Sequence, residues 1–136
     1  MSPAIERRLL QFAVALACLV PFSAALAGIA GGGAWLEKGR VATDLDSHFR
    51  YLSGIFLGVG VAFASCISAI ERRGPRFRLL GMMVVAGGLA RLVSLAAVGM
   101  PGGGMLFGFV MELGVVPLLV LWQARLARRL CVTAVS

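Results

Sequence analysis

The chain has 136 residues, of which 60% are hydrophobic and only 14% are charged. A soluble domain of this size needs a charged surface that so few charges cannot supply, so the composition excludes that class. The net charge of +7 would suit a nucleic-acid-binding protein, but the positions of the charges indicate a different cause, and we expect no nucleic-acid partner.

The apolar residues fall into four blocks, each close to the length that crosses a hydrocarbon core of about 30 Å as a helix. The blocks are residues 9–30, 51–70, 79–99 and 105–123. Inside a bilayer, backbone groups must satisfy their own hydrogen bonds, which favours helices. The sequence therefore predicts an all-α membrane protein: four transmembrane helices in a compact antiparallel bundle, forming one domain over residues 1–136.

The first block also resembles a secretory signal, because Arg7 and Arg8 precede it and Ala25-Leu-Ala27 looks like a cleavage site. The apolar stretch continues past Ala27, which is long for a signal core and favours a retained span. Both alternatives leave the orientation of the other spans the same.

Residues 31–50 form the one sizeable segment predicted to lie outside the membrane. Asp46 or Ser47 is the expected N-cap of the helix that follows. In the second span, Gly54-x-x-x-Gly58 is a motif for close helix approach, used either within the bundle or for dimerisation.

The third and fourth blocks each carry one charge, Arg91 and Glu112, and the turn 100–104 joins the blocks. The two charges are about equally far from the turn, so an antiparallel helical hairpin brings them to the same depth and predicts that they meet. Pro117 predicts a kink in the fourth helix.

The charges outside the blocks are distributed unevenly. One side carries nine arginines against Glu6 and Glu71, whereas residues 31–50 carry equal numbers of both signs. By the positive-inside rule, both termini are cytoplasmic and residues 31–50 are external. The nine arginines are Arg7, Arg8, Arg72, Arg73, Arg76, Arg78, Arg125, Arg128 and Arg129.

Three stretches resemble a known family: His48 to Gly60 (HFRYLSGIFLGVG), Gly87 to Ser94 (GGLARLVS), and Glu112 followed by Leu121-Trp122. They are similar to the small bacterial membrane proteins catalogued as domain of unknown function 4345. The resemblance covers nearly the whole chain. It implies a compact four-helix protein of the bacterial inner membrane in which Arg50, Arg91 and Glu112 match recurring polar positions, and it implies no activity.

Two roles for the intramembrane charges follow from the residues. In one, Arg91 and Glu112 are a structural ion pair that holds the third and fourth helices together. In the other, the pair forms the floor of an outward-facing pocket that binds an anionic lipid or a small polar ligand. The same pocket could be the substrate site of a small transporter component. The candidate ligand-binding residues are Asp46, His48, Arg50, Tyr51, Ser53, Arg91, Ser94 and Glu112. A four-span chain is small for a carrier, so a homo-oligomer or a larger membrane complex is the expected partner.

A membrane-embedded enzyme using Asp46, His48 and Glu112 is the remaining alternative, and we lean against it. His48 is the only histidine, and neither glycine triplet is followed by the Lys-Ser or Lys-Thr of a phosphate-binding loop. We expect no catalytic set, no metal and no cofactor. Cys18, Cys66 and Cys131 form no Cys-x-x-Cys motif and are expected to pack as small hydrophobic residues.

Overall fold

The computed structural model describes residues 2–36 and 40–133, and every regular element in these ranges is helical. The α-helices are α1 (Pro3–Gly31), α2 (Thr43–Cys66), α3 (Gly74–Val98), α4 (Gly103–Val110) and α5 (Val116–Thr133). A π-helical turn, Met111–Val115, joins α4 to α5 in one continuous helical segment. Counting that segment once, four helices are long and apolar enough to cross a membrane, which confirms the all-helical, four-helix expectation.

The helices extend beyond the apolar blocks. α2 begins at Thr43 rather than near residue 51, and α5 continues past residue 123 to Thr133. The expectation that Asp46 or Ser47 caps α2 is therefore wrong, since both lie inside its first turns. The length of an apolar block indicates only the part of a helix that lies in hydrocarbon. The helix itself can continue into polar sequence, because its backbone hydrogen bonds do not depend on apolar side chains.

The chain divides into two compact units. One, the hairpin unit, contains the start of α1 up to Val14 and everything from Cys66 onward; the other, the α1–α2 unit, is Ala15–Ser65. The expectation of a single domain stays a prediction, and each unit is described by itself.

In the hairpin unit, α3 begins with Gly74 and Pro75, where proline's missing N–H costs nothing. α3 stops at Gly99, whose φ of 112° belongs to the region that favours glycine and whose N–H donates to Leu95 O at 3.1 Å. α4 starts directly after Gly102. This short glycine-rich connection folds the fourth apolar helix back against α3.

Small residues on α3 set its distance to the following helix. A Cβ added to Gly81 would lie 2.5 Å from Val120 Cγ2, and one added to Gly74 would lie 3.2 Å from Gln123 Nε2. A side chain at Gly81 would require Val120 to shift, and one at Gly74 would be tightly packed against Gln123, so these glycines let the two helices approach closely. Residue numbers of the contacts rise along α3 as they fall along α5, which is the order of contacts in a helical hairpin.

The α1–α2 unit also packs through glycine. Gly60 faces Pro21, and Gly28 faces the side chains of Ser53 and Phe49. Between its two helices, Gly32 has a φ of 59° and begins a 3-10 turn, Gly32–Trp35, that ends α1. Gly54 and Gly58 take no part in this packing, because a Cβ at either position meets no described atom within 4 Å; the close helix approach expected at this pair, within the bundle or in a dimer, stays a prediction.

Large apolar side chains cover the outside of the helices. Exposed examples on every helix-forming segment are Phe12, Leu19, Val61, Met82, Val93, Phe107, Leu118 and Leu121. In water each exposed Å² of apolar surface costs roughly 25 cal/mol, a cost that disappears in hydrocarbon. The surface therefore suits a lipid environment, in agreement with the four apolar helices.

Candidate binding cleft beside the Arg91–Glu112 pair

The two charges inside the apolar helices contact each other. Arg91 Nε, on α3, lies 3.0 Å from Glu112 Oε2, in the π turn, so their predicted meeting is confirmed. The Glu112 side chain is 9% exposed, whereas that of Arg91 is 40% exposed. The pair is thus asymmetric: the carboxylate is enclosed and the guanidinium reaches a surface.

Gly88 makes room for this pair. A Cβ at Gly88 would lie 2.7 Å from Leu113 Cδ2 and 3.1 Å from Glu112 Cβ. A larger residue here would require the Leu113 side chain or the π turn to shift.

The backbone around Glu112 departs from α-helical geometry. The N–H of Val116 donates to Met111 O, one residue further back than in an α-helix. The next residue, Pro117, has no N–H and cannot continue the α-helical hydrogen bonds. The sequence predicted a kink at Pro117, and the structure has a widened turn immediately before it. Turns of this kind occur frequently at functional sites.

A cleft opens on the other side of the Arg91 guanidinium. It has a volume of about 160 Å³, and all its lining residues belong to the hairpin unit. They are Arg91, Ser94, Leu95, Gly99, Pro101, Met105, Leu106 and Phe109. The walls come from the end of α3, the glycine-rich connection and α4, so the cleft lies between the ion pair and the turn of the hairpin.

Arg91 has a weak partner on its cleft side. Its Nη1 lies 2.9 Å from the sulfur of Met105, and a thioether is a poor hydrogen-bond acceptor. A guanidinium carries five N–H donors, and the contact with Glu112 is made at Nε. A ligand oxygen that replaced the Met105 sulfur would therefore gain a charge-assisted hydrogen bond.

The predicted pocket residues fall into both units. Ser94 lines the cleft with Arg91, and it is exposed. Glu112 is in the hairpin unit as well, and the other five, Asp46, His48, Arg50, Tyr51 and Ser53, belong to the α1–α2 unit. A single pocket that combines all eight residues stays a prediction.

Within the α1–α2 unit, Arg50 and Asp46 close the end of α1. Asp46 accepts the N–H of Gly33 through Oδ1 at 2.8 Å and pairs with Arg50 Nε through Oδ2 at 2.8 Å. Arg50 Nη1 donates to the carbonyls of Ile29 and Ala30, in the last turn of α1. The last carbonyls of a helix lack partners within the helix, and cations stabilise its C-terminus, so these two side chains act as a clamp on α1.

The other three residues of this unit do not converge on one point. Ser53 is buried, and its hydroxyl donates to Phe49 O at 2.8 Å. His48 and Tyr51 are both exposed, with ring centroids 6.4 Å apart. Among the described residues no group of three His, Cys, Asp or Glu side chains is placed to hold a metal ion.

The comparison with family models decides the family. The model described as "Domain of unknown function (DUF4345)" matches residues 9–123. The chain belongs to this family. The matched range contains the Arg91–Glu112 pair, the cleft and the Arg50–Asp46 clamp. The searches of curated proteins and of solved structures found no match.

The structure adds a polar cluster that the sequence did not reveal. Glu6, on the first turn of α1, is buried and accepts hydrogen bonds from Trp122 Nε1 at 3.3 Å and Arg129 Nη1 at 3.0 Å. Glu6 and Arg129 lie outside the range that matches the family model. The only signal in the sequence was a lone carboxylate beside the two arginines that precede the first apolar block.

The N-terminal part of α1 also contacts the turn that follows α2. Arg7 Nε lies 3.1 Å from Glu71 Oε2, and Gln11 Nε2 donates to Ile67 O at 2.6 Å. From α5, the fully buried Gln123 donates to Ile70 O at 2.9 Å. We call the side chains that make these contacts the basal cluster: Glu6, Arg7, Gln11, Glu71, Trp122, Gln123 and Arg129. Its contacts tie the ends of three helical segments together, which indicates a structural role.

Proposed function

We propose that the protein is a small integral membrane protein that binds a polar or anionic head group in the cleft next to Arg91. The observation that carries this proposal is the pair of contacts at the guanidinium: its Nε lies 3.0 Å from Glu112, and among the described residues its Nη1 hydrogen-bonds to the thioether of the cleft residue Met105. Buried ionisable groups in membrane helices are expensive and are commonly retained for function. Membership of the family agrees with the architecture and names no activity.

The proposed setting is a bacterial inner membrane, with an antiparallel bundle and both termini in the cytoplasm. The support is the charge distribution: the nine arginines and two glutamates at one side account for the whole net charge of +7. The cleft, at the opposite end of the hairpin unit from the basal cluster, then faces the outer half of the membrane.

This orientation predicts unequal labelling of two exposed positions. In a Cys131→Ser background, we expect a membrane-impermeant maleimide to label Ser47→Cys on intact spheroplasts and to label Arg76→Cys only after lysis, because residues 31–50 are outside and the loop after α2 is inside. The readout is a gel shift of the purified protein. Labelling of residue 76 from outside would overturn the orientation.

The binding proposal is tested by filling the cleft without disturbing the ion pair. We expect Ser94→Phe to remove most of any lipid or metabolite that copurifies with the protein, because the ring occupies the cleft that Ser94 lines. Val93→Phe is the matched control: it adds the same ring at the next residue, which is exposed and does not line the cleft. Native mass spectrometry of both variants measures the bound mass.

Equal adducts in both variants, or none on the wild-type protein in any lipid, would contradict a binding site at this cleft. Because Ser94 is exposed and is not one of the two ion-pair residues, loss of folding is not the expected result. Thermal unfolding of both variants checks that point.

A subunit role in a homo-oligomer or a larger complex is the second candidate. The observation that favours it is the open face around Gly54 and Gly58, where an added Cβ meets no described atom within 4 Å. Glycine pairs at this spacing let two helices approach closely in a bilayer. The same native spectra report this role directly, as masses of more than one chain.

A further inference from the structure

We infer that the ligand of the Arg91 cleft is an amphiphile with one anionic head group, whose apolar tail lies outside the cleft against the protein surface. This inference rests on the proposed binding function and narrows the ligand to one chemical class. It follows from the size of the cleft, the charge next to it and the surface around its mouth.

The cleft is too small to enclose a large polar ligand. Pockets that enclose a drug-sized molecule have volumes of about 300–1,000 Å³, whereas this cleft has about 160 Å³. A sugar nucleotide or an oligosaccharide does not fit inside it. A carboxylate or phosphodiester group does fit, and the rest of its molecule must then lie outside.

The charge next to the cleft selects a single anion. Arg91 and Glu112 together carry no net charge, and Glu112 is on the far side of the guanidinium, 3.0 Å from Nε. One anionic group can take the remaining donors of Arg91 in a bidentate arrangement. A second negative charge would find no further cation in the cleft, since its other lining residues are apolar except for Ser94 and glycine.

The surface next to the cleft suits a hydrocarbon tail. Val98 and Met100 flank the cleft residue Gly99 in the chain and are 86% and 76% exposed. Phe107 and Val110, next to the cleft residues Leu106 and Phe109, are exposed as well. An acyl chain leaving the cleft would cover part of this apolar surface while staying in contact with the bilayer.

The experiment uses the full-length protein in phosphatidylcholine nanodiscs and radiolabelled decanoate as the probe. We expect saturable binding above that of empty nanodiscs for the wild type and for Val93→Phe, and about tenfold weaker binding for Ser94→Phe. Unlabelled decanoate or a short-chain phosphatidylglycerol should compete. The relative potency of these two competitors shows whether the cleft prefers a carboxylate or a phosphodiester head group. Acetate and methyl decanoate, which lack the tail and the charge respectively, should compete at least tenfold less well.

The outcomes separate this inference from the binding proposal on which it rests. If acetate competes as well as decanoate, the cleft binds a free anion, so the amphiphile is wrong and the binding proposal stands. If neither amphiphile binds saturably while Ser94→Phe still loses a copurifying molecule, only the ligand class is wrong. If methyl decanoate competes as well as decanoate, or if Ser94→Phe binds decanoate like the wild type, recognition of an anion by Arg91 in this cleft is overturned.

Discussion

Replacing Arg91 with leucine should destabilise the protein by about 3 kcal/mol, and adding Glu112→Leu should recover most of that loss. The single change leaves a 9%-exposed carboxylate inside an apolar bundle with no cation beside it. The double change removes both charges and leaves apolar side chains of similar size. Glu112→Leu alone should cost less than Arg91→Leu, because the remaining guanidinium is 40% exposed and still reaches the cleft.

The measurement is the free energy of unfolding of the four chains in one detergent, followed as loss of helical signal. The coupling energy from this double-mutant cycle should exceed about 1.5 kcal/mol, well above the error of the method for independent sites. Leu92→Ala, at an exposed neighbour of Arg91, is the control and should couple weakly to Glu112→Leu. Additive losses in the double variant would show that the pair does not hold α3 to the π turn.

Gly32→Ala should destabilise the α1–α2 unit by about 2 kcal/mol or more. Gly32 has a φ of 59°, which costs any other residue energy, and a Cβ there would overlap the Asp46 carboxylate and lie 2.6 Å from Arg50 Nη2. The substitution therefore strains the backbone and opens the clamp that covers the last carbonyls of α1.

Gly54→Ala is the matched control for this prediction. It is the same change in the same unit, in the middle of α2 and with no described atom within 4 Å of the new Cβ. We expect it to be neutral or to stabilise by up to about 1 kcal/mol, because alanine is the better helix former. Thermal unfolding of both variants under identical conditions gives the comparison. Equal effects would mean that the clamp at Gly32 does not contribute to stability.

The two arginine–carboxylate pairs have different consequences for function. In the Arg50–Asp46 pair, Arg50 donates hydrogen bonds to Asp46 and to the carbonyls of α1, so these contacts stabilise the fold. In the Arg91–Glu112 pair one edge of the guanidinium is used by Glu112 and the other borders a cleft. The sequence resemblance grouped Arg50, Arg91 and Glu112 as recurring polar positions, and of the two arginines only Arg91 lines a cleft.

Amino-acid sequence alone was sufficient for the four helices and for the Arg91–Glu112 contact. Helix length follows from the thickness of hydrocarbon, which each apolar block matches independently of the others. The contact between the charges follows from a short glycine-rich connection, since equal distances from a turn give equal depths in a hairpin. Both inferences use only local features of the chain, namely the length of one apolar block and the shortness of one connection, and these allow few alternative structures.

The role of Asp46, the size of the cleft and the composition of the basal cluster became known only from the tertiary structure. Asp46 looked like a helix cap, but α2 begins earlier, and the Asp46 carboxylate accepts the N–H of Gly33 in the 3-10 turn after α1. Glu6 pairs with Arg129, far away in the chain, and no local pattern selects that partner among the nine arginines. Such contacts depend on which helix faces meet after the chain has folded, and apolar length and periodicity do not determine that choice.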